Sequence, residues 1–268
     1  MSPRKDRSTA IRDADDEQGM SARVLGVILG RAGSKGLPNK VMRALAGRPM
    51  IEYSLDHALA AETLTEVVLT TDSEPAQHIA AARGVRVVER PAELATDTAT
   101  VDSAARHAVE ALEAELNTRF DAAVLLYAAV AIRPPGLIDR VVRKLQTTGA
   151  DSVRTVAPIG KHHPDWLHRL DDDDRMTQFR TNSIYRRQDL EPLYYHDGAV
   201  VAVTRDALFA DLALRDPQGF LGADRRALRQ SPTDSVDVDD AYDLLVAEAA
   251  LRYHAKSSYP DAPAQVTP

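Results

Sequence analysis

The sequence contains no cysteine. Disulfides, iron–sulfur clusters and thiolate-ligated zinc are therefore excluded, and nothing points to secretion. No apolar run approaches the roughly 18 residues that suggest a membrane span. The first 22 residues, MSPRKDRSTAIRDADDEQGMSA, mix both charge signs and lack the apolar centre of a signal peptide. A cytoplasmic protein is expected. A basic excess is missing as well. The formal net charge is −7, which argues against nucleic acid as a partner, because nucleic-acid binders neutralise phosphates with a basic face. A local basic cluster inside an acidic chain points to a small anionic ligand instead.

Against these absences stand 268 residues, 44% of them hydrophobic, enough for one sizeable core. Residues 1–22 and 256–268, poor in apolar side chains, read as a disordered leader and a disordered tail. Residues 23–255 read as one domain. Its first apolar segment is a short strand running into a glycine-rich loop. MIEYSLDHALAA then places Ile51, Leu55, Ala58 and Leu59 on one helical face. EVVLTT reads as a strand to Thr70, EPAQHIAAARG as a short helix stopped by Gly84, and VRVVER as another strand. A long helix from about Thr98 to Leu116, the strand AAVLLYAAV, a helix after Pro134 and Pro135 and the strand DSVRTVA follow. Such alternation implies an α/β fold with a mostly parallel sheet and helices on both faces. From about 160 to 197 the pattern breaks into a charged, irregular insertion of the kind used as a lid or dimer contact. It resumes with GAVVAVTRDAL, and SVDVDDAYDLL gives a strand, an acidic turn and a closing helix.

The opening loop, GRAGSKGLPNK, fits neither familiar phosphate motif. A dinucleotide fingerprint needs G-x-G-x-x-G, whereas Gly30, Gly33 and Gly36 are evenly spaced; a P-loop needs Gly-Lys-Ser/Thr, whereas Ser34 and Lys35 precede Gly36. What remains is a loop whose glycines let backbone N–H groups approach an anion, with Arg31, Lys35 and Lys40 adding charge. The bland alternative is a solvated turn with scattered basic residues. In SVDVDD, Asp237 and Asp239 stand two apart, so on a short strand their carboxylates share a face. Two carboxylates on one face suit Mg2+, which takes oxygen ligands and otherwise keeps water and substrate phosphates. Alternatively, Asp239 or Asp240 simply caps the following helix. Asp72 is a third candidate ligand or, equally, an ordinary turn residue.

Taken in order, ILGRAGSKGLPNK, TTDSE, ERPAELATDTAT, HHP, RRQDLEPLYYHDGA and SVDVDDAYDLL resemble the CMP-sialic acid synthetases, the acylneuraminate cytidylyltransferases. The resemblance runs from Val24 to about Glu248. It implies a mostly parallel nucleotide-binding sheet, with the insertion making a homodimer. It also implies that CTP and a nine-carbon 2-keto sugar acid give a CMP-sugar and pyrophosphate with Mg2+. By position, Arg31, Lys35 and Lys40 correspond to the family's triphosphate-binding cations, beside Gly30, Gly33 and Ser34. Arg90, Ala99 and Thr100 fall where cytosine and ribose are held. Asp237 and Asp239 match the metal-binding aspartates, with Asp239 also placed among the catalytic residues. Arg187 and Gln188 match a pair near the sugar.

The chain departs from the family where LLQPTSPLR is usual. It reads LLYAAVAIR, with Tyr127, Ala129 and Val130 replacing polar residues and only Arg133 surviving. Asp197 stands where asparagine is usual, a carboxylate expected to repel an acidic sugar unless a cation such as Arg186 offsets it. Tyr127 and Asp197 are therefore candidate sugar-site residues. Selectivity rests on paired polar groups, so these changes admit another sugar or nucleotide, or a catalytically silent relative. His162, His163 and His168 read as loop histidines rather than zinc ligands. Asp171 to Asp174 read as a solvated hairpin tip, Trp166 as a dimer anchor, and Met176 and Phe179 as packing residues.

Overall fold

A computed structural model describes residues 22–33, 36–211 and 216–257. Ser34, Lys35, the leader to residue 21 and the tail from 258 lie outside the described residues. The opening apolar segment is β1 (Val24–Leu29), buried along its whole length. The pair β2 (Ala44–Leu45) and β3 (Arg48–Pro49) leads into α1 (Met50–Leu59). The expected alternation follows: β4 (Glu66–Thr71), α2 (Glu74–Ala82), β5 (Arg86–Glu89), α3 (Val101–Leu116), β6 (Ala122–Tyr127), α4 (Leu137–Thr148) and β7 (Ser152–Pro158). The insertion carries a small hairpin, β8 (His168–Leu170) and β9 (Met176–Gln178). It is followed by β10 (Tyr194–Thr204), α5 (Arg205–Leu208), β11 (Arg225–Arg229) and α6 (Ala241–Ser257).

Seven strands form one sheet in the order β11-β7-β10-β6-β1-β4-β5. All neighbours are parallel except β10, which runs antiparallel to both β6 and β7. A parallel strand covered on both faces has no polar side, which is why β1 reads as a continuous apolar run. Its residues divide between two cores. Val24 and Ile28 pack with α1, α2 and α4, whereas Leu25, Val27 and Leu29 pack with α3 and α5. A third cluster, around Leu37, Met50, Ile132 and Val238, seats α6 through Ala247, Leu244 and Leu251. Among the described residues no helix is long and apolar enough to cross a membrane.

Several boundaries differ from expectation for local reasons. The buried stripe of α1 is Met50, Ile51, Ser54, Leu55 and Ala58, while Leu59 is half exposed at the last turn. α3 begins at Val101 rather than Thr98, because Thr100 Oγ1 accepts the Ser103 N–H and stops the helix there. β10 starts at Tyr194, since Tyr194 to His196 already pair with Pro158 to Val156 before the register shifts. SVDVDD is not a strand: Asp237 makes one isolated antiparallel bridge to Val130. α6 runs two residues into the expected tail.

Candidate active site

The parallel strands β1, β4 and β6 end at the same edge of the sheet, where ligands of open α/β folds bind. A cleft of about 350 Å³ lies there, lined by the loop after β1, the segment from Arg90 to Thr100, the end of β6 and the 237–239 turn. The segments come from four separate parts of the chain, and the sheet brings them together. Gly30, Gly33, Arg31, Lys40, Arg90, Ala99, Thr100, Tyr127, Asp237 and Asp239 all line it.

The loop after β1 is tied down at its start: Gly30 N–H donates to Thr70 O at 3.2 Å and Ala32 N–H to Asp72 Oδ1 at 2.7 Å. Asp72 is therefore the turn residue of the two readings given for it. A Cβ at Gly33 would meet nothing within 4 Å, so the backbone there is open to the cleft. Gly36 is different, because a Cβ would overlap the carbonyl oxygen of Asp239. The third glycine is where the basic loop rests on the acidic turn. Gly36→Ala must push the two apart, at a cost of about 1–3 kcal/mol for overpacking. It is expected to weaken the binding of a phosphate-bearing ligand in the cleft roughly tenfold in calorimetry, with the melting temperature little changed because the loop is at the surface.

Each cation among the described residues of the cleft has a carboxylate or carbonyl partner. Arg31 Nη1 lies 2.8 Å from Asp97 Oδ1, and Lys40 Nζ lies 2.8 Å from Asp239 Oδ1. Arg90 is buried, donating from Nη2 to Thr70 O at 2.8 Å and from Nε to Thr70 Oγ1 at 3.4 Å. Burial pushes its guanidinium below the ordinary range, Asp72 resists that shift and Arg31 adds to it. Asp97 was not singled out in the sequence; its place in ATDTAT, beside the basic loop only in the fold, was the missing signal.

The acidic turn divides its work. Asp240 Oδ1 accepts the N–H groups of Tyr242 (2.7 Å) and Asp243 (3.0 Å), and Asp243 Oδ2 accepts those of Asp239 (2.9 Å) and Asp240 (3.2 Å). This reciprocal cap starts α6 and leaves the carboxylates of Asp237 and Asp239 for the cleft. Solvent reaches Asp237 through the cleft, yet protein surrounds it on most sides. Burial pushes its carboxyl up, and the neighbouring charge of Asp239 pushes it the same way, with Lys40 opposing. Two hard oxygen ligands facing a phosphate-sized space fit Mg2+. Among the described residues no group of three His, Cys, Asp or Glu comes together.

At the far end of the cleft the expected sugar residues separate. Tyr127 lines the wall, and burial raises its phenol above the ordinary range. Asp197 does not face the cleft. It is buried, with Oδ1 accepting from Thr155 Oγ1 and from Ala199 N–H (3.0 Å), and Oδ2 accepting from Gln230 Nε2 at 2.6 Å. The carboxylate is thus a structural acceptor within the sheet and not a group of the cleft lining. Arg187 and Gln188 sit exposed on a short turn of the insertion, outside the cleft lining. Arg186 pairs with Asp189 instead (2.8 Å). His163 is buried and bridges the insertion, Nδ1 accepting from Asp165 N–H at 3.1 Å and Nε2 facing Glu191 O at 3.1 Å. Trp166 donates from Nε1 to Ile184 O within the insertion (3.0 Å). Leu170, Met176, Phe179 and Tyr185 are exposed, so Met176 and Phe179 do not pack in this chain's core. The acidic run is the tip of the β8–β9 hairpin, with Asp171 Oδ1 accepting from Asp173 and Arg175 N–H.

Behind the cleft, Arg133 is buried rather than lining it, and its Nη1 lies 3.5 Å from His57 Nδ1. Burial first, then the Arg133 charge, hold His57 down to about 3. The folded chain thus refuses a proton that the unfolded chain binds below about pH 6.5. Stability is full above that pH and falls with acidification towards pH 3, by about 3 kcal/mol at pH 4.5. Melting curves from pH 7 to 4.5 should fall less steeply for His57→Gln than for the wild type.

Comparison with known proteins shows the family and the fold. A family model described as cytidylyltransferase matches residues 25–211. The chain is 30% identical over 221 residues to an N-acylneuraminate cytidylyltransferase of Streptococcus agalactiae serotype III, covering 82% of this chain and 51% of that protein. It is 28% identical over 239 residues to a CMP-N,N'-diacetyllegionaminic acid synthase of Legionella pneumophila, covering 88% of this chain and 99% of that one. The chain thus spans about half the length of the first of these relatives and nearly all of the second. A solved CMP:2-keto-3-deoxy-manno-octonic acid synthetase complexed with CTP has the same fold, with a TM-score of 0.64 at 17% identity over 87% of this chain and 100% of that one.

Proposed function

The chain belongs to the cytidylyltransferase family, and from that membership we propose that it transfers a cytidylyl group from CTP to a nine-carbon 2-keto sugar acid, releasing pyrophosphate. The observation that carries this reading is the meeting of Lys40 with Asp239, beside Asp237, at the mouth of a nucleotide-sized cleft. The anomeric hydroxyl of the acid attacks the α-phosphorus. Its oxygen forms the new P–O bond and gives up its proton to water as the bond to the bridging oxygen breaks, and pyrophosphate leaves. In this reading Arg31 and Lys40, together with Lys35, hold the charge of the departing phosphates, and Gly33 leaves its backbone N–H open to them. Arg90, Ala99 and Thr100 form the base and ribose end. Asp237 and Asp239 would hold Mg2+, which when bound supplies charge neutralisation at the phosphates.

The apolar end of β6, with Ala129 in the lining, supports an acceptor that differs in its polar substituents from one matched to a glutamine, threonine and serine. The exposed Leu170, Met176, Phe179 and Tyr185 support a second copy of the chain as partner, covering the insertion. Cytoplasmic residence belongs to the same reading, since CTP must be at hand.

The test is pyrophosphate release with Mg2+, offering CTP, UTP, GTP and ATP separately against nine-carbon keto sugar acids and hexose phosphates. Release with CTP and a keto sugar acid alone, abolished in Asp239→Ala, is expected. A panel silent in every combination, or release with a hexose phosphate, overturns the reading.

A further inference from the structure

Arg31 reaches into the cleft from a main chain pinned on both sides, by Gly30 N–H to Thr70 O and Ala32 N–H to Asp72 Oδ1. Its side chain is held by a different part of the molecule. Nη1 lies 2.8 Å from Asp97 Oδ1 and donates to Ala95 O at 3.4 Å, whereas among the described residues Nε and Nη2 meet no acceptor. A guanidinium has five N–H donors, and Nε with Nη2 forms the side fork that takes two oxygens of one anion. One nitrogen is engaged with the protein, and the fork is left over.

The support is firm. Asp97 stands at the tip of a turn closed by Thr96, whose Oγ1 accepts the Ala99 N–H at 3.2 Å and faces Thr98 Oγ1 at 3.3 Å, and Thr100 ties the end of that turn to α3. Arg31 and Asp97 both line the cleft, with side chains 33% and 39% exposed. An ion pair so open to water adds little to folding, so stability does not account for it. Orientation does. Arg90 lines the same cleft, and the charge of Arg31 acts unfavourably on it; a carboxylate beside Arg31 offsets the repulsion that would turn this flexible side chain out into solvent. Without that carboxylate the ordering of the side chain would fall on the binding step.

We propose that Asp97 is a positioning residue that holds the Arg31 guanidinium ready for the triphosphate of CTP. Nη1 stays with Asp97, and the Nε–Nη2 fork takes a phosphate. This rests on the cytidylyltransferase reading and adds to it a link between the two ends of the cleft: the segment that carries Ala99 and Thr100 also orients the arginine of the phosphate end.

Asp97→Ala and Asp97→Asn separate orientation from charge, since both remove the carboxylate and only asparagine keeps an oxygen for Nη1. Calorimetry measures CTP and CMP binding to each, in the wild-type background and in Arg31→Met. Asp97→Ala is expected to weaken CTP binding about 3- to 10-fold, the effect of having to order one rotamer-rich side chain, and Asp97→Asn to weaken it less. CMP, which lacks the departing phosphates, should keep its affinity within about twofold. In Arg31→Met the two variants should bind CTP alike, because nothing is left to orient. Should Asp97→Ala fail to fold, Asp97→Ser, a turn residue too short to keep the contact, takes its place. Equal CTP affinities for Asp97→Ala and Asp97→Asn in the wild-type background overturn the proposal, because the carboxylate then acts by charge alone. A loss of CMP affinity in step with that of CTP overturns it too, since Asp97 then only shapes its own segment. A wild type that binds no CTP overturns the cytidylyltransferase reading and the proposal with it.

Discussion

Replacing Lys40 with methionine is expected to slow turnover by about 10²- to 10³-fold, the loss of roughly 3–4 kcal/mol of transition-state stabilisation by one well-placed cation. At the same time it should strengthen divalent-cation binding to the nucleotide-free protein. Both effects come from one contact. Lys40 Nζ lies 2.8 Å from Asp239 Oδ1, its side chain largely covered while that of Asp239 is 77% exposed. Asp239 therefore has an ammonium group where Mg2+ would sit, and Lys40 has a carboxylate where a phosphate would sit. Nucleotide and metal arriving together replace one ion pair with two. Methionine keeps the reach of the side chain and removes the charge, so Asp239 is left without its competitor. Pyrophosphate release reads the first effect and calorimetric titration with Mg2+ alone the second. Weaker cation binding in the variant, or turnover within a fewfold of the wild type, would show that the pair is a surface contact with no part in the site.

The α/β alternation was legible because each element is short, strongly patterned and bounded by its own residues: Gly84 after α2, Thr100 before α3, Pro134 and Pro135 before α4. The basic loop stood out by its composition, and Gly30, Arg31, Gly33 and Lys40 do line the cleft. What did not show was what that loop touches. Gly36 is needed because of Asp239, about 200 positions away, and no local pattern carries that distance. Asp237 and Asp239 were picked out by a spacing argument suited to a strand, although the segment forms only one bridge to Val130; extended backbone was enough to give the alternation. Asp197 shows the opposite failure. Its neighbours in sequence place it beside a sugar, whereas its hydrogen-bond partners, Thr155 on β7 and Gln230 just past β11, make it part of the core. Residues in β-sheets answer to partners far along the chain, so roles on β7, β10 and β11 were the least readable.

The largest effect on stability is expected at Arg133. The sequence singles it out as the surviving member of a polar set, which suggests a place in the cleft, but the side chain lies beneath the cleft wall and holds that wall together. Nε donates to Ala199 O at 2.7 Å, Nη1 to Val130 O at 2.6 Å and to Ser54 Oγ at 3.1 Å, and Nη2 to Tyr127 O at 2.9 Å. Three of these acceptors are main-chain carbonyls that have no strand partner at the end of β6 and the bulge of β10, so the guanidinium stands in for a missing piece of ladder. Burial depresses its pKa to about 9, with Asp197 and Asp237 resisting the shift, and at neutral pH it remains charged. Arg133→Met takes the side-chain donor from the Ala199 carbonyl and leaves those of Tyr127 and Val130 with the weaker contacts of Ser54 Oγ (3.4 Å each) and, for Tyr127 O, the Val130 N–H (3.1 Å), all in a closed core. Its expected cost is about 3–5 kcal/mol, which for a domain of this size lowers the melting temperature by roughly 10 °C or more. Since Val130 bridges Asp237 and Ala129 O accepts the Val238 N–H at 3.3 Å, the acidic turn should loosen with it. The variant should then lose Mg2+ affinity even at temperatures where circular dichroism finds it folded. An unchanged melting temperature would mean that water replaces the guanidinium at those carbonyls, whereas a large drop with intact Mg2+ binding would separate the stability of the wall from the placement of Asp237.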